Sequence, residues 1–200
     1  VPAPAPVRYD LLARTPPEGW VDLRSLVPGE GPIELEIGFG RGRFLLERAR
    51  TAPESRIIGI EIKAKWAHVV EARRQREGLG NALALRADVR DLLPRAGPEG
   101  SLARVFLHFP DPWWKRKHAK RRVLDERLLD QVARLLAPGG EFFVQTDVEE
   151  RAVAFREQIA AHGAFVIEPC EASPYQARSN RQVRAEQDGL PIHRLLARRR

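Results

Sequence analysis

From residue 33 onward, short apolar runs alternate with amphipathic stretches, and this rhythm limits the fold more than any other feature. Ile33–Gly38, Arg56–Glu61, Ala82–Arg86, Leu102–Phe109, Glu141–Thr146, Phe165–Glu168 and Ile192–Ala197 read as strands. Phe44–Arg50, Lys63–Gly78, Val123–Leu136 and Glu149–His162 read as helices, the third closed by Pro138-Gly139-Gly140. Strands that alternate with helical patterns specify an open, mostly parallel α/β sheet with helices on both faces. The polar stretch 169–191 is expected to be a loop with some helix. Residues 1–30 are rich in proline and are expected to be irregular, draped over a single domain spanning 31–200. No internal repeat or linker divides that domain.

The most unusual local sequence is Val105-Phe106-Leu107-His108-Phe109-Pro110-Asp111-Pro112-Trp113-Trp114, followed by the basic run Lys115–Arg122. An apolar strand leads into a stiff turn that displays one carboxylate, then two tryptophans, then six Lys or Arg side chains. Without those six, the net charge of +7 falls to +1, so the basicity is a patch suited to a polyanion. Flat aromatic faces beside phosphate-binding charge are the expected chemistry of nucleic-acid contact. Trp20 and Trp66 lack such surroundings and read as structural.

A second concentration of signal lies at the strand ends. Ligands of open α/β sheets bind beyond the carboxyl ends of the strands. There the chain carries Glu36-Ile37-Gly38-Phe39-Gly40-Arg41-Gly42, whose glycines permit a sharp turn and close approach of backbone to ligand. The spacing departs from the dinucleotide pattern G-x-G-x-x-G. Glu61 ends the second strand, about twenty residues after the loop, where an acid can accept both hydroxyl protons of a ribose. Asp88 follows the third strand, where a carboxylate can meet an adenine amino group. Three acids at three successive strand ends fit an adenosyl ligand without a pyrophosphate, which Glu36 would repel. S-adenosylmethionine, with its sulfonium and ammonium, suits Glu36 and Asp111.

Together these residues resemble the tRNA (guanine-N7-)-methyltransferase family of the single-domain bacterial type, over roughly residues 31–196. Phe109-Pro110-Asp111-Pro112-Trp113 with Lys115, Lys117, His118 and Arg121-Arg122 carries most of the likeness; Glu36–Gly42, Gly59-Ile60-Glu61 and Gln145-Thr146-Asp147 support it. The resemblance implies a Rossmann-like class I methyltransferase fold, a seven-stranded sheet with the last strand antiparallel. It implies S-adenosylmethionine held by Glu36, Gly38, Gly40, Glu61, Asp88 and Asp111. It implies tRNA contacts from Lys115, Arg116, Arg121, Asp147, Ser179 and Gln182, with methyl transfer to N7 of a variable-loop guanine. Asp111 and Asp147 are the candidates for stabilising charge during transfer, and Trp113 or Trp114 for stacking on the flipped base. Where the family carries Thr-x-Phe/Tyr-Glu, this chain reads Ser179-Asn180-Arg181-Gln182, in register with Gly189-Leu190-Pro191-Ile192. Ser179 keeps the hydroxyl, Arg181 replaces the ring and Gln182 loses the charge.

Other expectations follow from what the chain lacks. Its one cysteine, Cys170, forms no intrachain disulfide and suits a reducing, cytoplasmic setting. There is no zinc-type Cys/His array, so no metal is expected, and no run approaches the roughly 18–20 apolar residues of a membrane span. The first residue is not Met, as in a trimmed chain, and no signal-like pattern follows. Oligomeric state stays open between monomer and homodimer. Three rivals remain: a nicotinamide oxidoreductase, a methyltransferase acting on another nucleic acid or on protein, and a non-catalytic RNA-binding relative.

Overall fold

The structure, a computed structural model, describes residues 7–111 and 123–200. In chain order its elements are α1 Tyr9–Leu12, β1 Val21–Asp22, α2 Leu23–Leu26, β2 Ile33–Ile37, α3 Arg43–Thr51, β3 Arg56–Glu61, α4 Ala64–Arg76, β4 Ala82–Arg86 and α5 Val89–Leu92. After a short 3-10 turn come β5 Ala96–Gly97, β6 Leu102–His108, α6 Glu126–Leu135, β7 Leu136–Thr146, α7 Glu149–Ala161, β8 Phe165–Glu168, α8 Asn180–Gln187 and β9 His193–Arg199. Seven strands form one sheet in the order β4-β3-β2-β6-β7-β9-β8. β9 runs antiparallel to both of its neighbours, and the other pairings in this sheet are parallel. The expected class I architecture is therefore present, with the last strand reversed.

Helices cover both faces. Ile33, Leu35 and Ile37 of β2 pack with Val105 and Leu107 of β6, Val144 of β7, Leu128, Leu129 and Val132 of α6, and Phe155 and Ile159 of α7. On the opposite face Leu45, Leu46 and Ala49 of α3 and Ala67 and Val70 of α4 cover Ile57, Ala82 and Ala84. Farther along that face Phe44, Phe106, Phe143, Tyr175 and Leu196 form an aromatic layer. Burial of apolar surface on both sides is the main force holding the layers together.

Several boundaries shift from the sequence expectation, two of them for clear local reasons. α6 starts at Glu126 rather than Val123, because Asp125 takes the N-cap and its side chain accepts the Leu128 N–H at 2.9 Å. The Pro138-Gly139-Gly140 turn loops out within β7, between Leu136, paired with Leu102, and Glu141, paired with Arg104. The described part of the proline-rich N-terminal stretch contains only short elements and lies along the β4 side of the sheet. Arg86 N–H donates to Arg14 O at 2.7 Å, and Val21 pairs with Ala96. Glu71 of α4 accepts the Ala84 N–H at 3.0 Å. The Arg14 and Glu71 contacts satisfy backbone donors of β4 that an edge strand would otherwise expose. Trp20 lies so close to Gly97 that a Cβ there would come within 2.3 Å of its ring. Among the described residues, no helix is long and apolar enough to cross a membrane.

The face of β2 opposite Ile33, Leu35 and Ile37 carries Glu34 and Glu36, both buried. Glu34 is fully partnered. Arg48 donates to it from Nε and Nη2 at 2.8 and 2.7 Å, Arg104 Nη1 at 2.9 Å and Ser55 Oγ at 3.1 Å. Arg104 Nε also donates to Glu141 at 3.1 Å; Glu141 pairs with Arg198 at 3.1 Å, and Arg198 with Glu168 at 2.8 Å. Strand register places Glu34, Arg104, Glu141 and Arg198 side by side. Alternating charges thus cross β2, β6, β7, β9 and β8 near the amino-terminal ends of the parallel strands. The Tyr175 hydroxyl donates to Glu141, and burial together with that carboxylate pushes its pKa far above the usual phenol value. Removing one member of a buried charge cluster strands the rest, at a cost of about 3–5 kcal/mol. Glu34→Ala is expected to lower unfolding free energy by that amount, read as a reduced urea midpoint at unchanged slope. An unchanged midpoint would show that the ladder is energetically idle.

Candidate functional site

At the carboxyl ends of the parallel strands the sheet opens on a cavity of about 550 Å³. Its lining includes Glu36, Gly38, Gly40, Glu61, Asp88, Asp111 and Ser179, residues singled out in the sequence, with His108, Lys63, Arg90 and Arg181 beside them. They converge because parallel strands end on one edge of the sheet, so residues far apart in sequence become neighbours there.

The loop after β2 forms one wall. Gly38 and Gly40 have φ of +71° and +55°, and a Cβ on either would meet no atom within 4 Å. The backbone here thus faces open space. Gly42 is required for another reason: at φ +72° a Cβ would lie 2.4 Å from Val70, where α4 packs against the start of α3. Glu61 braces the loop, since Oε2 accepts the Gly40 N–H and Oε1 the Lys63 N–H, each at 2.9 Å. An ionised carboxylate has about four acceptor positions, so both oxygens retain capacity for further donors. Asp88 caps α5 by accepting the Arg90 N–H at 2.9 Å.

Glu36 forms the floor. It is 1% exposed, and its Oε1 lies 3.1 Å from Nδ1 of His108. Its Oε2 has no hydrogen-bond partner among the described residues. Burial raises the Glu36 pKa above the ordinary carboxylate range; His108 opposes that rise and Glu61 adds to it. The strand β6 delivers His108 and then turns sharply at Phe109, a non-glycine residue at φ +48°. Left-handed backbone costs about 1–2 kcal/mol for such a residue. The Phe109 N–H donating to Gln145 O at 2.7 Å helps to hold it. The turn brings Pro110 and the exposed Asp111 to the cavity mouth.

The charges are layered. Glu36 and Glu61 are buried, whereas Arg41, Lys63, Arg90 and Arg181 are exposed around the lining. The floor is acidic, and the rim carries these four cations beside Asp111. Arg41 also lies over the Trp66 ring, 5.2 Å from its centroid, so this tryptophan has a polar role beyond packing. Arg43 instead pairs with Glu47 on its own helix at 2.6 Å. Among the described residues no cluster of His, Cys, Asp and Glu could hold a metal ion.

The remaining candidates are placed differently. Asp147, at the end of β7, does not line the cavity; its Oδ2 accepts from Nη2 of Arg181, which does. Ser179 Oγ accepts the Gln182 N–H at 3.1 Å, so the hydroxyl serves as the N-cap of α8. Gln182 is buried, and its Nε2 donates to Glu186 at 3.0 Å. Lys115, Arg116, Arg121, Trp113, Trp114 and His118 lie outside the described residues. His108 was missed in the sequence; its signal was a lone imidazole ending an apolar strand, just before Phe109-Pro110-Asp111. The Arg181–Asp147 pair gave no local signal, because its members are 34 residues apart.

Comparison with known proteins shows the family. The family described as "Putative methyltransferase" matches residues 30–190. A tRNA (guanine-N(7)-)-methyltransferase of Myxococcus xanthus (strain DK1622) is 36% identical over 197 residues, covering 96% of this chain and 93% of its own. The enzyme of the same name from Anaeromyxobacter dehalogenans (strain 2CP-C) is 44% identical over 174 residues, covering 82% and 84%. Among solved structures, the 16S rRNA methyltransferase KamB superposes with a TM-score of 0.60 at 17% identity, covering 88% of this chain and 90% of that one. A SAM-dependent O-methyltransferase of Thermotoga maritima gives 0.58 at 19% identity, covering 85% and 60%. These two likenesses speak for the fold alone. On its matched length, its sequence identity and the shared sheet, the chain belongs to the tRNA (guanine-N(7)-)-methyltransferase family.

Proposed function

We infer that this protein transfers a methyl group from S-adenosylmethionine to N7 of a guanine in tRNA, forming 7-methylguanosine. The observation that carries the reading is the layering of charge at the strand ends: buried carboxylates beneath, cations around the rim. A small cationic cofactor suits the first and a polyanionic substrate the second. Action on tRNA also gives the protein a cytoplasmic place of work.

The residues present fit that cofactor. Glu36 Oε2 is a buried acceptor with no partner among the described residues, matched to a cationic group. Glu61 keeps acceptor capacity for the two hydroxyls of a ribose, and Asp88 can accept from an adenine amino group. Gly38 and Gly40 leave room where a side chain would intrude. When bound, S-adenosylmethionine supplies a methyl group on a positively charged sulfur.

The remaining chemistry asks little of the protein in proton transfer. Guanine N7 offers a lone pair and carries no proton, so no general base is needed. The chain must align N7 in line with the methyl carbon and exclude water, an effect worth up to about 7–11 kcal/mol in favourable cases. Methylation leaves the guanine ring positively charged, and Asp111 at the cavity mouth is suited to stabilise that charge as it forms. Asp147 is suited to accept from the N1–H and N2–H₂ edge of guanine, which adenine lacks. Arg181 donates to that carboxylate, so reading of guanine by Asp147 would require the arginine to move aside. The Lys115–Arg122 run would hold phosphates, and Trp113 or Trp114 would stack on the base.

Incubation with unmodified bulk tRNA and methyl-labelled S-adenosylmethionine, followed by digestion, is expected to place the label in 7-methylguanosine; label in another nucleoside overturns the reading. Asp147→Ala is expected to reduce turnover far more than cofactor affinity, and full turnover in that variant removes Asp147 from the site. The raised Glu36 pKa makes a third test. Without ligand, its contribution to stability is fully present below the ordinary carboxylate range and is lost as pH rises through the raised value. A cationic ligand favours the ionised form, so S-adenosylmethionine affinity should rise with pH over the same window. Glu36→Gln should bind more weakly and show a flatter profile in calorimetric titrations.

A further inference from the structure

His108 is the most constrained titratable side chain on the cavity wall. Its side chain is 3% exposed, and its ring centroid lies 4.2 Å from that of Phe44, 5.8 Å from Phe106 and 6.0 Å from Phe143. Aromatic rings from α3, β6 and β7 therefore surround it and restrict its orientation. Nδ1 is directed at Glu36 Oε1, 3.1 Å away. The backbone continues directly into the strained Phe109 and on to Pro110-Asp111. Such rigidity around one polar contact at a ligand wall is an arrangement for aiming a group.

We infer that His108 is a positioning residue for cofactor binding: it holds the Glu36 carboxyl group through Oε1 and leaves Oε2, the oxygen without a partner among the described residues, for the ligand. The inference rests on the reading above, in which Glu36 meets a cationic group of the cofactor. A carboxyl buried to this degree takes up a proton readily, because burial disfavours its charge. A neutral carboxyl offers little to a sulfonium or ammonium. The Nδ1–H of His108 donates to Oε1 and stabilises the anion, while Oε2 is left for the ligand. Of the charged groups lining the cavity, Glu61 of β3 acts on Glu36 directly; Asp88 and Asp111 and the exposed Arg41, Lys63, Arg90 and Arg181 lie around the lining. Burial and Glu61 disfavour ionisation of Glu36, and the imidazole, with the Leu45 backbone N–H, works against them. Arg48 and Arg104 are bound to Glu34, the other acid on this face of β2.

The test compares His108→Phe, which keeps a ring and removes the donor, with His108→Asn, which keeps a side-chain N–H. S-adenosylmethionine binding is titrated by calorimetry from acid to alkaline pH, with urea unfolding as a check on folding. A hydrogen bond to a charged group is worth about 1.5–3 kcal/mol, so His108→Phe should weaken binding at neutral pH by about tenfold or more. Binding by that variant should recover as pH is raised and Glu36 ionises without help. His108→Asn should restore affinity at neutral pH. A folded His108→Phe protein with unchanged affinity and pH profile would overturn the inference. A uniform loss at every pH would also overturn it, since that is the mark of a packing role. Glu36→Gln separates the two levels. If it too binds normally, the reading of Glu36 has failed; if it binds weakly while His108→Phe binds normally, only the role of His108 has failed.

Discussion

The architecture turns on two carboxylates buried on one face of the central strand. β2 reads Ile-Glu-Leu-Glu-Ile, and its period of two sends all three aliphatic side chains to one face and both acids to the other. In most sheets that second face would be apolar, because an unpaired buried charge costs several kcal/mol. Here Glu34 is surrounded by two arginines and a serine, and the charges continue outward across the neighbouring strands. Glu36, one pleat farther on, has a histidine at one oxygen and no partner at the other among the described residues. Glu34 therefore acts as a tie between strands and helix, while Glu36, a residue of the cavity lining, keeps one oxygen without a partner among the described residues.

The contrast follows from direction along the sheet. Near their amino-terminal ends the parallel strands are crossed by a ladder of alternating charges that pins β2, β6, β7, β9 and β8 together. At their carboxyl ends each strand passes into a turn, and the acids there can face a ligand rather than a neighbouring strand. The rigidity of one end supports the exposed chemistry of the other: Arg48 of α3 is anchored to Glu34, and Phe44 on the same helix packs against His108.

The reversed strand adds a second consequence. β9 returns antiparallel beside β7, so the segment before it crosses the carboxyl end of the sheet. The Arg178 N–H donates to Glu47 Oε2 at 2.9 Å, fastening this segment to α3, and α8 begins with Ser179 as its cap. Arg181 is thereby brought to Asp147. A residue that in sequence only marks the loss of an aromatic ring becomes, in space, the group standing between the cavity and a carboxylate proposed to read guanine.

Sequence alone determined the layered α/β class, the seven strands and the four acids at strand ends, because each rests on local periodicity or on the rule that such sheets bind ligands at one edge. Glu36, Glu61, Asp88 and Asp111 were legible for that reason and do meet at one cavity. Tertiary structure decided which buried acid is spent and which is available, since Glu34 and Glu36 look alike in the chain and differ only in what long-range contacts bring to them. The His108–Glu36 contact spans 72 residues and Arg181–Asp147 spans 34, distances over which no local pattern carries information. Ser179 is a similar case: a hydroxyl expected to face substrate caps a helix, because a helix start leaves backbone N–H groups in need of an acceptor. Periodicity and strand-end position are local properties and survive in one dimension. The partner of a buried charge is set by the packing of elements distant in sequence, and it exists only once the sheet has formed.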